Sequence, residues 1–258
     1  MIDHLPELAS KASVRVKSGY YDTQKLENVP ARSLVKAIKE SKTTPIITEV
    51  KYTSPSAGKI RDSGNPLQIA EAMLTGGACA ISVLTDPDHF EGNLETLAMI
   101  SRETGVPTIM KDIIVSPKQL LAGRRAGASA VVLISEVFSR KLSSVGLDGM
   151  VLHCNRVGLE VLVEANSLGE FERLRRSRPD LYGINNRNLS TFQLDLSTTE
   201  NILAQSVDID RPIVSESGIE SPADIRRLKA AGAEAFLVGT SIMKSSNIEG
   251  KVRELVSV

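Results

Sequence analysis

The chain has 258 residues, 41% of them hydrophobic and 3% aromatic, with 31 basic against 31 acidic side chains, the make-up of an ordinary globular protein. A net charge near zero with so few aromatics argues against a nucleic-acid partner, which needs a basic surface and stacking rings. Two cysteines are too few for a disulfide framework, no apolar leader precedes the first charged residues, and no run approaches the ~20 apolar residues of a membrane span, so a cytoplasmic protein without membrane association is expected.

Residues 1–44 read as one or two helices, RSLVKAIKES (32–41) the clearest, forming an N-terminal helical extension that caps one end of the remaining fold. From residue 45 to 258, short runs rich in β-branched residues alternate with amphipathic segments: PIITEV (45–50), CAISVLT (79–85), PTIMKD (107–112) and AVVLIS (130–135). EVLVEA (160–165), LYGINN (181–186), PIVSES (212–217) and AFLVGTS (235–241) continue the series. Asn65-Pro66, Ser116-Pro117 and Ser221-Pro222 each pair a capping residue with proline at the first helical position, while Gly77, Gly127 and Gly232 close helices before the next strand. Eight strand–helix units without a GxGxxG after the first strand favour a closed (β/α)8 TIM barrel, residues 45–258, over an open doubly wound sheet. With no linker in between, extension and barrel are expected to form one structural domain.

Inward positions of barrel strands alternate and are normally apolar, so ionisable residues there need a reason. Glu49 and Lys51 share the face of Ile47; Lys111 ends the third strand, Glu164 the fifth, and Asn185 with Arg187 the sixth. Any one of these could simply face solvent. Six polar residues at the same end of four strands point instead to an active site, which forms at the carboxyl ends of barrel strands. The last two strands run into Ser217-Gly218 and Gly239-Thr240, small residues that leave backbone N–H groups accessible to a phosphate. His4, His89 and His153 are scattered without ligand spacing, so no metal is expected, and His89 and Cys79 are read as structural. Ser54 and Ser56, in SPSAG after the first strand, read as part of a loop that closes over substrate.

Seven segments in order, ITEVKYTSPSAGK, ISVLTDPDHFEGNLETL, IMKDIIV, LVEANS, GINNRNLSTFQLD, VSESGI and FLVGTSIM, closely resemble the indole-3-glycerol phosphate synthase family from about residue 32 to 244. That family is a one-domain (β/α)8 barrel. The resemblance implies ring closure, decarboxylation and dehydration of 1-(2-carboxyphenylamino)-1-deoxyribulose 5-phosphate to indole-3-glycerol phosphate in tryptophan biosynthesis, with no cofactor. It implies Lys111 as general acid toward the ketone and Glu164 for the dehydration proton. Lys51 then neutralises the substrate carboxylate or assists proton transfer, Glu49 holds the lysines, and Asn185 and Arg187 orient the sugar and anionic groups. Ser217, Gly218, Gly239 and Thr240 hold the phosphate, while Ser54, Phe90, Leu189 and Glu216 border the substrate.

Phe90, Ile113, Val132 and Leu189 are expected to wall the aromatic ring. Glu216, alternating with Ser217 along its strand, is given only a supporting part. A lysine acid works best with its pKa lowered toward neutrality, and the two neighbouring cations are expected to push Lys111 that way, with Glu49 and Glu164 limiting the shift. Ile113, Asn188 and Thr240 depart from residues common in the family. A phosphoribosylanthranilate-isomerase-like barrel is a rival, disfavoured because the first strand ends in Glu49 and Lys51 rather than a cysteine. A silent phosphate-binding barrel is disfavoured by the presence of both Lys111 and Glu164. The partner is expected to be a small phosphorylated molecule, and the protein a monomer or weak homo-oligomer.

Overall fold

The computed structural model describes residues 3–22, 32–62 and 64–258, so the parts of the expected extension at 1–2 and 23–31 lie outside the described residues. Each of the eight β-branched runs forms a strand: β1 (Ile46–Val50), β2 (Ala80–Leu84), β3 (Thr108–Lys111), β4 (Ala130–Ile134), β5 (Glu160–Ala165), β6 (Leu181–Asn185), β7 (Ile213–Glu216) and β8 (Ala235–Val238). All neighbours pair in parallel, and β1 pairs with both β2 and β8, so the sheet closes into a (β/α)8 TIM barrel. The cap chemistry operates where the sequence places it. Asn65 accepts from Leu67 N, and Ser116 and Ser221 form capping boxes with Gln119 and Asp224, while Gly232, at φ 112°, ends the helix Pro222–Ala231 in a backbone conformation that a side chain would strain.

Inside the ring the side chains stack in layers drawn from alternate strands. The odd strands contribute Ile47, Ile109, Leu162 and Val214, all fully buried, to one apolar cluster. Two residues further along each of the same strands, and so on the same face, stand Glu49, Lys111, Glu164 and Glu216. The even strands fill the level between: Ser82 is in register with Glu49 and Ile109, Gly183 with Glu164 and Val214, and Leu237 with Glu216 and Ile47.

The N-terminal residues use both ends of this barrel. The helix Leu34–Lys39 closes the amino end: Leu34 and Ile38 join the interior cluster, and Glu160, at the start of β5, accepts from Leu34 N at 2.6 Å and Val35 N at 3.0 Å. Its carboxylate thereby satisfies donors that every helix start leaves open. The helix Leu5–Lys17 sits at the carboxyl end instead, burying Leu5, Leu8, Ala9 and Ala12. Arg15, only 6% exposed, donates to Asp86 at 3.0 Å and Asp112 at 3.2 Å, and also pairs with Asp88. Those carboxylates follow β2 and β3, so this helix is clamped onto loops that border the mouth. Asp3 pairs with Arg140, and His4 stacks on Phe192 with ring centroids 4.3 Å apart, fixing the other end of the helix over the loops after β4 and β6. The extension therefore reaches both ends of the barrel, where the sequence pointed to one. Among the described residues no helix is long and apolar enough to cross a membrane.

Candidate active site

The six polar residues singled out at the strand ends, Glu49, Lys51, Lys111, Glu164, Asn185 and Arg187, all line one cleft at the carboxyl end of the barrel. It opens to solvent, and its mixture of charged and apolar lining suits a small-molecule ligand. Its centre is the charged layer. Lys111 Nζ lies 2.7 Å from Glu216 Oε2, 3.5 Å from Glu164 Oε2 and 4.0 Å from Glu49 Oε2, while Lys51 Nζ donates to Glu49 Oε1 at 2.6 Å.

Three buried carboxylates thus face two partly exposed ammonium groups. The charge surplus decides where the protons sit. Burial raises the Glu216 carboxyl, Lys111 pulls it down, and the nearby Glu164 and Glu49 raise it further, leaving it at about 7. Glu49 is raised by burial too, but Lys51 and Lys111 outweigh that and hold it below the ordinary glutamate value. Lys111 contradicts the expectation from sequence: burial lowers its pKa, yet Glu216, Glu164 and Glu49 together more than reverse the effect and hold the ammonium above the ordinary lysine value. The neighbouring cations do not govern it because the carboxylates are closer and more numerous.

Glu216 itself sits differently from the supporting place expected of it. It is inward-facing, in step with Val214, fully buried, and makes the nearest contact to Lys111. The alternation with Ser217 misleads because Ser217, at φ 68°, has left the strand conformation.

Around the charged layer the cleft has apolar lining, with Phe90, Ile113, Val132 and Leu189 joined by Phe192 and Leu194. The last two went unnoticed in the sequence, although the TFQLD stretch that holds them follows Asn185 and Arg187 directly. Arg187 donates to Phe192 O at 3.1 Å and enters no ion pair among the described residues; burial lowers its pKa. Such a guanidinium at a cleft wall is a ready partner for an anionic group. Asn185 Oδ1 accepts from Arg187 N at 2.9 Å, fixing the turn that aims the arginine.

Ser217, Gly218, Gly239 and Thr240 also line the cleft, opposite the apolar wall's residues on β3 and β4. Ser217 and Gly218 lie in the left-handed region at φ 68° and 80°, so the chain turns sharply as it leaves β7. Gly239 has no space for a side chain: a Cβ there falls 2.8 Å from Glu49 Oε1 and 3.3 Å from Lys51 Nζ. The helix Thr240–Lys244 starts at this point, and Ser241 Oγ bonds Ile219 O at 2.9 Å, joining the loops after β7 and β8. Ser54 and Ser56 reach the cleft from a short antiparallel ribbon in which Thr53–Ser54 pairs with Gly58–Lys59. His89 Nδ1 lies 3.3 Å from the acceptor Asp86 Oδ2, and Cys79 sits by the interior cluster, neither of them at the charged centre.

The arrangement supplies a buried ammonium between carboxylates, an arginine outside the described ion pairs, apolar side chains and the glycine-bearing turns after β7 and β8. It can exchange protons with a small substrate that carries an apolar part and an anionic group.

Comparison with known proteins places this geometry in a family. The chain matches the family model described as indole-3-glycerol phosphate synthase over residues 7–255. It is 39% identical over 231 residues to the indole-3-glycerol phosphate synthase of Desulforamulus reducens, covering 90% of this chain and 86% of that one. It is 36% identical over 252 residues to indole-3-glycerol phosphate synthase 2 of Ralstonia nicotianae, covering 96% and 92%. Among solved structures, thiamine phosphate pyrophosphorylase from Pyrococcus furiosus superposes with a TM-score of 0.59 at 16% identity, covering 83% of this chain and 94% of that one. N-acetylmannosamine-6-phosphate 2-epimerase from Clostridium perfringens gives 0.62 at 14% identity, covering 81% and 90%. These two show the shared barrel and nothing of its chemistry. The family model and the relatives, spanning nearly the whole chain, show that it belongs to the indole-3-glycerol phosphate synthase family.

Proposed function

We propose that the chain catalyses the reaction of its family, converting 1-(2-carboxyphenylamino)-1-deoxyribulose 5-phosphate to indole-3-glycerol phosphate, carbon dioxide and water, as a carboxy-lyase of tryptophan biosynthesis. The observation that carries this reading is the odd-strand layer of Glu49, Lys111, Glu164 and Glu216, which shares one cleft with apolar side chains and the turns after β7 and β8.

The phosphate docks at Ser217, Gly218, Gly239 and Thr240, so that binding energy at the unreactive end orients the reacting end. The ring lies against Phe90, Ile113, Val132 and Leu189, with Ser54 beside it, and its carboxylate meets Lys51. The ring carbon bearing that carboxylate attacks the ketone while Lys111 gives a proton to the developing alkoxide. An ammonium kept charged by three carboxylates is always loaded for this step, and its acidity rises as those carboxylates are drawn to other partners. Carbon dioxide then leaves with its bonding electrons returned to the ring. In the last step Lys111, reprotonated from solvent through the open cleft, gives a proton to the departing hydroxyl, which leaves as water, and Glu164 takes the proton from the adjacent carbon. Asn185 and Arg187 orient the sugar and anionic groups, Glu49 positions the lysines, and Glu216 borders the substrate. All groups needed for these transfers are side chains of this chain, so the reaction is read as cofactor- and metal-independent. The reading extends to a cytoplasmic monomer or weak homo-oligomer that engages neither nucleic acid nor membrane, in keeping with balanced charge and few aromatics.

Indole fluorescence provides the assay. Turnover of the carboxyphenylamino-deoxyribulose phosphate is expected to survive EDTA and to fall by at least ~10²-fold in Lys111→Ala. A well-folded wild type without turnover overturns the proposal.

A further inference from the structure

Each inward position of the even-strand level carries a side chain except one. Ser82, Val132 and Leu237 fill their places on β2, β4 and β8; on β6 the place belongs to Gly183. Its φ is not in the left-handed region, so the backbone conformation does not call for glycine. What calls for it is space. A Cβ at Gly183 falls 2.7 Å from Glu216 Oε1, closer than a carbon and an oxygen approach without displacing one another, and 3.1 Å and 3.2 Å from Glu164 Cα and Cβ. The volume a methyl group would take is the volume through which the Glu216 carboxylate reaches the centre of the ring.

Glu216 Oε1, which occupies that volume, and Glu164 Oε2 are both buried without a hydrogen-bond partner among the described residues. The other oxygen of Glu216 makes the 2.7 Å contact to Lys111, while Glu164 stays at 3.5 Å. The two glutamates therefore divide the work: Glu216 holds the lysine at hydrogen-bond distance, and Glu164 Oε2, at 3.5 Å, makes only the looser ion pair with it.

We infer that Gly183 is a positioning residue for the reaction proposed above, its missing side chain admitting Glu216 to Lys111 and thereby leaving the Glu164 carboxylate available to a substrate proton. An alanine at 183 drives the Glu216 carboxylate out of its seat, since the backbone and Cβ of Glu164 on the other side cannot retreat within a closed barrel. Lys111 then turns to Glu164, and the carboxylate that should receive a proton becomes the lysine's partner. Glu216 near pH 7 is also the group that stores a proton at this level, so its displacement alters the pH dependence of turnover as well as its size.

The test is a double-mutant cycle of Gly183→Ala with Glu216→Ala, read by kcat, KM and the pH profile. Gly183→Ala is expected to lower kcat by ~10-fold or more with KM changed by less than ~3-fold, and to shift the pH profile. In the Glu216→Ala background, where no carboxylate competes for the space, the same change is expected to cost less than ~2-fold. An equal loss in both backgrounds, or no loss in either, overturns the inference. Should Gly183→Ala fail to fold alone, the double variant must fold, because removing the carboxylate vacates the site; failure of both overturns it too. The inference rests on the proposed reaction, and NMR titration of ε-13C-labelled lysines separates the two. The Lys111 signal, assigned by its absence in Lys111→Arg, is expected to titrate lower in Gly183→Ala than in wild type, and this holds or fails even for an enzyme that does not turn over the carboxyphenylamino substrate.

Discussion

Ile47, Ile109, Leu162 and Val214 occupy the same strands, the same face and nearly the same radius of the barrel as Glu49, Lys111, Glu164 and Glu216, displaced by two residues along each chain. One set is an oil-like layer closed from below by Leu34 and Ile38; the other is a cluster of five charges when Lys51 is counted. What separates them is depth from the sealed amino end. The apolar layer gains ~1.5–3 kcal/mol for each large side chain it buries, and this offsets the cost of desolvating the charges above it. Burial in the upper layer is then a source of altered proton affinity, as Glu216 shows, where burial in the lower layer is only a source of stability.

If this division is real, substitutions at the two levels should separate stability from turnover. The largest effect is expected outside both, at Arg15, whose removal leaves the buried Asp86 and Asp112 facing each other without their shared cation. Arg15→Met is expected to destabilise the fold by about 3–5 kcal/mol, measured by urea unfolding, as for other buried ion pairs broken from one side. At the sealed end, Leu34→Ala is expected to cost about 2–5 kcal/mol in the same measurement and to leave kcat unchanged. A loss of kcat there, at a temperature where the protein is fully folded, would erase the distinction between the levels. In the charged layer, Glu164→Gln should do the reverse: kcat lower by ~10²-fold, about 2.7 kcal/mol in the barrier, with an unfolding midpoint at or above that of wild type.

The lower level was far easier to foresee from sequence than the upper. Eight runs of β-branched residues, bounded by capping serines, asparagine and closing glycines, locate all eight strands, and alternation from Ile47 alone brings Glu49 and Lys51 inward. Lys111, Glu164 and Asn185 follow by the same count. Alternation fails where the backbone leaves the strand, and Ser217 leaves it one residue after Glu216, which concealed the closest partner of Lys111 and inverted the expected shift of its pKa. Arg15 was hidden for another reason. Beside Glu7, Lys11 and Lys17 of its own helix it looks solvent-facing, and its partners Asp86 and Asp112 lie 71 and 97 residues away. Gly183 carries no pattern at all: a glycine required by the reach of a side chain from the next strand has no local signature.

The last expected effect is a slope, and it sharpens the contrast most directly. Glu216 binds its proton more tightly when folded, about 7, than at the ordinary value of 4.5. Between those two pH values the unfolded chain has released the proton while the folded chain retains it, so stability falls as pH rises through the window and levels off above it. One proton sets the limit at about 1.4 kcal/mol per pH unit. Urea unfolding of wild type and Glu216→Gln at intervals from pH 4.5 to 8 isolates this contribution: the wild type is expected to lose ground to the variant across the window and to run parallel to it beyond pH 8. Parallel behaviour throughout would mean that Lys111 fully neutralises Glu216, that the surplus proton resides on another carboxylate, and that the upper layer stores its charge differently from the way its geometry indicates.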